Sequence, residues 1–122
     1  MTQEELEDIV LKMLLKSNDE IFIGLNRQLE FAKVISREFS GYGFFTKFLI
    51  PDELTIHNIN GRICDVLGTF EDHPDETYMF ILFINNGRID TLEGVSFFDW
   101  NNDYDKLQVM YAFDDKRDYD LK

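Results

Sequence analysis

Tyr78-Met79-Phe80-Ile81-Leu82-Phe83-Ile84-Asn85-Asn86-Gly87-Arg88-Ile89-Asp90-Thr91-Leu92-Glu93-Gly94-Val95 decides the fold. Tyr78 to Ile84 is a nearly unbroken run of apolar and aromatic residues, as expected of a central strand covered on both faces. Asn86-Gly87 then supplies the residue pair that tolerates positive φ at both centres of a type I′ turn. Arg88 to Phe97 is therefore read as the partner strand of a hairpin. Upstream, Ile63 to Phe70 reads as another strand, closed by a charged loop, Glu71-Asp72-His73-Pro74-Asp75-Glu76. Further upstream, Phe31 to Phe39 alternates, Ser40-Gly41-Tyr42-Gly43 supplies a turn and Phe44 to Ile50 returns, ended by Pro51-Asp52. Downstream, Lys106 to Phe113 is the last strand, and the charged tail Asp114 to Lys122 is expected to fray.

The helical signal is confined to the N-terminus. Thr2 and Glu5 have capping-box spacing, and Leu6, Ile9, Val10, Met13 and Leu14 recur at helical intervals. Glu4, Glu5, Glu7 and Asp8 sit at the positive end of that helix, Lys12 and Lys16 at the negative end. Ser17-Asn18-Asp19 stops it. From Glu20 to Leu29 the pattern fits either a strand or one helical face, and a short helix or turn is the preferred reading. No helical pattern separates the strands, which argues against a doubly wound parallel sheet. The expectation is one domain over residues 1–122 of α+β class: an N-terminal helix, or two, packed on an antiparallel meander of about five to six strands.

Composition restricts the function classes. The 122 residues are 44% apolar, enough for a core despite a net charge of −12. Residues 12–62 carry seven bases and six acids, whereas residues 63–122 carry five bases and fourteen acids. Such a surface repels phosphate backbones and anionic lipid, so neither nucleic acid nor a membrane is an expected partner. A basic protein would be steered in. One cysteine, Cys64, excludes an internal disulfide framework and fits a reducing, cytoplasmic setting, and the acidic N-terminus is unlike a signal peptide.

Catalytic signatures are weak, and no enzyme, cofactor or metal is expected. His57 and His73 are the only histidines, and a Cys64–His57 pair has no family spacing. Glu71 to Glu76 concentrates hard oxygen ligands around one imidazole, but a solvated acidic turn explains it. Asp99, Asn101, Asp103 and Asp105 have the rhythm of a calcium loop, yet Tyr104 stands where that loop needs Gly and Met110 where it needs Glu. A second class of function places Arg37, Glu93 and Tyr42 in a ligand-binding or hydrolytic pocket near Gly41, since these charges interrupt apolar motifs. The bland alternative is an internal Arg–carboxylate pair, such as Arg37 with Glu93, or a strand edge protected by charge.

Aromatic residues exceed what a small core must hold. Phe44-Phe45 and Phe97-Phe98 are adjacent, so in regular strands each pair points to opposite faces. Either the sheet is covered on both sides, by the helix or a homodimer mate, or some rings are exposed as a hot spot rimmed with acids.

Ser36-Arg37-Glu38-Phe39-Ser40-Gly41-Tyr42-Gly43-Phe44-Phe45-Thr46, followed by Leu82-Phe83-Ile84, Gly87, Ile89, Leu92-Glu93-Gly94 and Trp100, resembles a pattern in small uncharacterised bacterial proteins, GxGFFTxF…LFxxxGxIxxLEG. The resemblance covers residues 29–100 and departs at Trp100-Asn101, where Trp-Pro is the pattern. It implies a fold rather than an activity. By type, an acidic single-domain bacterial protein of this size is also similar to immunity proteins of polymorphic and contact-dependent toxin systems. These bind a basic toxin domain, often a nuclease, and occlude it. For a binding module of that type, the acidic half of this chain is expected to supply a partner-binding rim of Asp72, Asp75, Glu76, Asp99, Asp103 and Asp105, with Trp100 and Tyr104 as anchors, on a monomer or homodimer.

Overall fold

The computed structural model describes residues 1–113, 117 and 119–122. Helix α1 spans Gln3–Leu14 and helix α2 spans Glu20–Phe31. Seven antiparallel strands follow: β1 Lys33–Ser40, β2 Gly43–Leu49, β3 Gly61–Phe70, β4 His73–Asn85, β5 Arg88–Val95, β6 Leu107–Tyr111 and β7 Tyr119–Leu121. The class is α+β, with two N-terminal helices packed on one antiparallel sheet. Hairpins join β3, β4 and β5 into a meander. The β1–β2 hairpin docks beside β5 and β6 beside β3, giving the order β1-β2-β5-β4-β3-β6, with β7 also on β3.

Local chemistry explains the element ends. The capping box closes α1: the Glu5 amide donates to Thr2 Oγ1 at 3.1 Å and the Thr2 amide to Glu5 Oε1 at 3.1 Å. The ambiguous segment after Asp19 is a full 12-residue helix, and the Asp19 side chain accepts from the Ile21 amide. That helix takes Phe31 out of the expected first strand. Asn86 and Gly87 have φ of 52° and 75°, the positive pair of a type I′ turn. The acidic loop is shorter than expected, because β4 already begins at His73 and leaves only Glu71-Asp72 as the turn.

The core lies on one face of the sheet. Leu6, Val10, Leu11 and Leu14 of α1 and Phe22 and Leu25 of α2 cover Phe44, Phe48, Phe80, Leu82 and Leu92. Ile9, expected on the apolar face of α1, is exposed, and Glu7 and Leu11 turn inward instead. Tyr78, Phe80, Leu82 and Ile84 are buried, but Met79, Ile81 and Phe83 are only half-buried. The central strand is thus covered by helices on one face, not two, since both helices pack on the side that carries Phe80 and Leu82. Gly94 faces Phe44 there, and a Cβ on it would come within 2.3 Å of that ring.

Two polar side chains, one buried and one half-buried, hold the layers together in ways the sequence pattern does not signal. Gln28 of α2 is fully buried; its Nε2 donates to the carbonyls of Leu54 and Gly87 at 2.9 and 2.8 Å, and its Oε1 accepts from the Ile89 amide at 2.9 Å. It ties the β2–β3 connection to the β4–β5 hairpin. Arg117 donates to Asp65 of β3 and to the carbonyl of Leu14, and also reaches that of Lys16, so it caps the C-terminal end of α1. The tail expected to fray therefore contributes this arginine and strand β7, while residues 114–116 and 118 lie outside the described residues.

Candidate functional site

One end of the sheet gathers the Gly41-Tyr42 turn, the Glu71-Asp72 turn, the segment after β5 and the 3-10 turn Tyr104–Lys106. The tethers are specific. The Ser96 amide donates to the Tyr42 carbonyl at 2.9 Å and the Trp100 amide to the Gly41 carbonyl at 2.8 Å. Tyr78 Oη donates to the Asp99 carbonyl at 3.2 Å and accepts from the Asn101 amide at 3.1 Å. Ser96 Oγ closes the bend by donating to the Phe98 carbonyl at 2.5 Å. A chain segment without regular structure is thereby pinned to a hairpin and to the central strand.

Acids from separate parts of the sequence meet here. Asp72, Asp103 and Asp105 line one groove of about 480 Å³ with Glu71, His73 and Lys106. Asp75 and Glu76 lie on the first residues of β4, and Asp99 sits in the pinned segment. Asp72, Asp75, Asp99, Asp103 and Asp105 are exposed, while Glu76 is half-buried. Lys106 approaches Asp103 at 3.7 Å, and the Met1 amino group pairs with Asp105. Among the described residues, no three acidic, histidine or cysteine side chains are placed to share a metal ion.

Of the expected anchors, Tyr104 is buried and Trp100 is half-buried against the core. Tyr104 is 5% exposed, and its Oη donates to Gln3 Oε1 at 2.6 Å while accepting from Trp100 Nε1 at 3.0 Å. Trp100 packs against Phe44 and Tyr78, with ring centroids 5.5 and 4.6 Å apart. Burial pushes the Tyr78 and Tyr104 phenols above their ordinary range, so both stay neutral donors at neutral pH. At this end of the sheet the rings of Phe97, Phe39, Tyr42 and Phe98 face solvent, at 87%, 63%, 57% and 45% exposure. Phe97 and Phe98 do not divide between two faces, because β5 ends at Val95 and both follow in the bend. Their signal was their placement beyond the strand, next to Asp99 and Trp100.

The Arg37–Glu93 site does not form. Register places Arg37 opposite Thr46, and Thr46 opposite Leu92, on the helix-covered face. Glu93 pairs with Phe45 and Ile81 and faces the other side. Arg37 is engaged by Glu7, so the two charges neither pair with each other nor line one pocket. Among the described residues, no helix is long and apolar enough to cross a membrane. No protein-family model matches the chain, and neither a curated protein nor a solved structure is found to match it.

Proposed function

We propose that this chain is a non-enzymatic binding module of immunity type, which neutralises a basic toxin domain in the bacterial cytoplasm by steric occlusion. The observation that carries this reading is that acids from the β3–β4 turn and from the segment after β5 line one groove at the same end of the sheet that exposes Phe97, Phe98 and Tyr42. Such a surface combines long-range attraction for a cation with rings that lose little entropy on contact, because their loop is already tethered. The acids accelerate encounter and the aromatics slow departure.

Calorimetric titration against the C-terminal domain of the protein encoded immediately upstream, at two salt concentrations, tests the reading. Nanomolar binding that weakens with salt is the expected result. Phe97→Ala should raise Kd at least about tenfold, as an exposed hot-spot ring does, and leave the fold intact. Asp99→Asn with Asp103→Asn should slow association and flatten its salt dependence. No heat at either salt, with the wild-type protein folded, overturns the proposal.

A further inference from the structure

The face of the sheet turned away from the helices carries Phe45, Leu67, Met79, Ile81, Phe83 and Val95, all half-buried or exposed. Cross-strand register sets them in rows: Phe45 beside Glu93 beside Ile81, then Lys47 beside Thr91 beside Phe83. Glu93 stands in the middle, and with the described residues it makes no hydrogen bond or ion pair. Lys47 is its diagonal neighbour on β2 and is exposed, whereas Glu93 is half-buried.

From this arrangement we infer that the open sheet face is the seam of a homodimer, packed face to face on a second copy of the chain. Charge selects that occupant. The chain as a whole carries −12, yet Lys33, Lys47 and Arg62 stand against Glu38, Asp90, Glu93 and Asp120 on and beside this face, so that it is close to balance. A cationic partner gains little there, whereas an identical copy meets a self-complementary surface, as a two-fold interface requires. A two-fold axis running across the strands, between the Phe45 and Lys47 rows, brings Glu93 within reach of Lys47 of the second copy. It also sends the two acidic ends to opposite sides of the dimer, away from mutual repulsion.

Five strands at ~4.8 Å spacing and six residues at ~3.3 Å give a patch of roughly 24 by 20 Å. Two such patches bury about 1,000 Å² in total, the lower limit for a specific interface, so a weak dimer of roughly micromolar Kd is expected. The seam is independent of the acidic end and leaves it free for another protein.

Sedimentation velocity of the full chain from about 1 to 300 μM brackets that affinity and reads the mass directly. A monomer–dimer equilibrium is expected. Lys47→Glu or Glu93→Lys should each weaken it at least about tenfold by setting like charges together, and the double swap should restore it. Circular dichroism of each variant keeps loss of fold apart from loss of dimer. A monomer throughout the range, or a dimer indifferent to both single swaps (as pairing along the β1 edge would be), overturns the inference.

Discussion

Arg37 of β1 grips Glu7 of α1 with two hydrogen bonds, Nε to Oε2 at 3.0 Å and Nη2 to Oε1 at 2.8 Å. Glu7 is 3% exposed and also accepts from Thr46 Oγ1 at 2.6 Å and Gln3 Nε2 at 3.0 Å. Gln3 in turn accepts from Tyr104 at 2.6 Å, which accepts from Trp100. A continuous polar chain thus runs from the edge strand, through the first helix, to the loop that carries the exposed aromatics.

Removing one partner should cost more than removing a surface pair. Arg37→Ala leaves a buried carboxylate without its cation and should lower unfolding free energy by about 3 kcal/mol or more. Thr46→Val deletes one hydrogen bond to that carboxylate and should cost about 2 kcal/mol. Urea unfolding of the two variants beside wild type checks the order, and equal losses would contradict it.

Glu7 and Glu93 should give opposite pH signatures. Burial pushes Glu7 up, but its bonds to Arg37, Thr46 and Gln3 and the Arg37 charge outweigh that and hold it below the ordinary carboxylate range. Its stabilisation is complete above that range and lost as pH falls through the lowered folded value. Glu93 is raised by burial alone, so its ionised form costs stability at neutral pH, and the cost disappears on acidification. Glu7→Gln should therefore lower, and Glu93→Gln raise, the urea midpoint at about pH 7, with both differences shrinking towards about pH 3. The comparison is made at one low protein concentration, where dimer formation does not contribute.

Arg117 should matter out of proportion to its place near the end of the chain. It faces Asp65, which is 1% exposed, and lies 5.0 Å from the centre of the Tyr111 ring. Arg117→Ala should destabilise by about 3 kcal/mol. Arg117→Lys should recover only part of this, since an ammonium cannot make the same fork to Asp65 while reaching the α1 carbonyls. Thermal melts of the two variants test the difference.

Gly94→Ala should be costly although it adds one methyl group. The new Cβ would lie 2.3 Å from Phe44 Cε1, inside a ring that also packs on Trp100. Overpacking of this kind costs about 1–3 kcal/mol, and pairing the change with Phe44→Leu should recover much of the loss.

Much of the fold was legible along the chain because its causes are local. Thr2 and Glu5 start a helix by their own hydrogen bonds, Asn86-Gly87 makes a turn by its own torsions, and the alternation of Phe44, Thr46 and Phe48 with Phe45, Lys47 and Leu49 sorts β2 into two faces. The acidic end was legible as composition, since Asp72, Asp99, Asp103 and Asp105 cluster in turns. Its anchors were not. Trp100 and Phe97 are three residues apart in one bend, and only the tether to Gly41 and Tyr78 turns one ring inward and leaves the other in water.

By itself, then, the sequence determined the helix start, the hairpins, the α+β class and the placing of acids in the turns, all set by interactions within a few residues. Tertiary structure decided what long-range register and helix docking alone can choose. Arg37 meets Glu7 because Thr46 and Leu92, not Glu93, share its face. Ile81 and Phe83 stay half-exposed because both helices lie on the other side of the sheet.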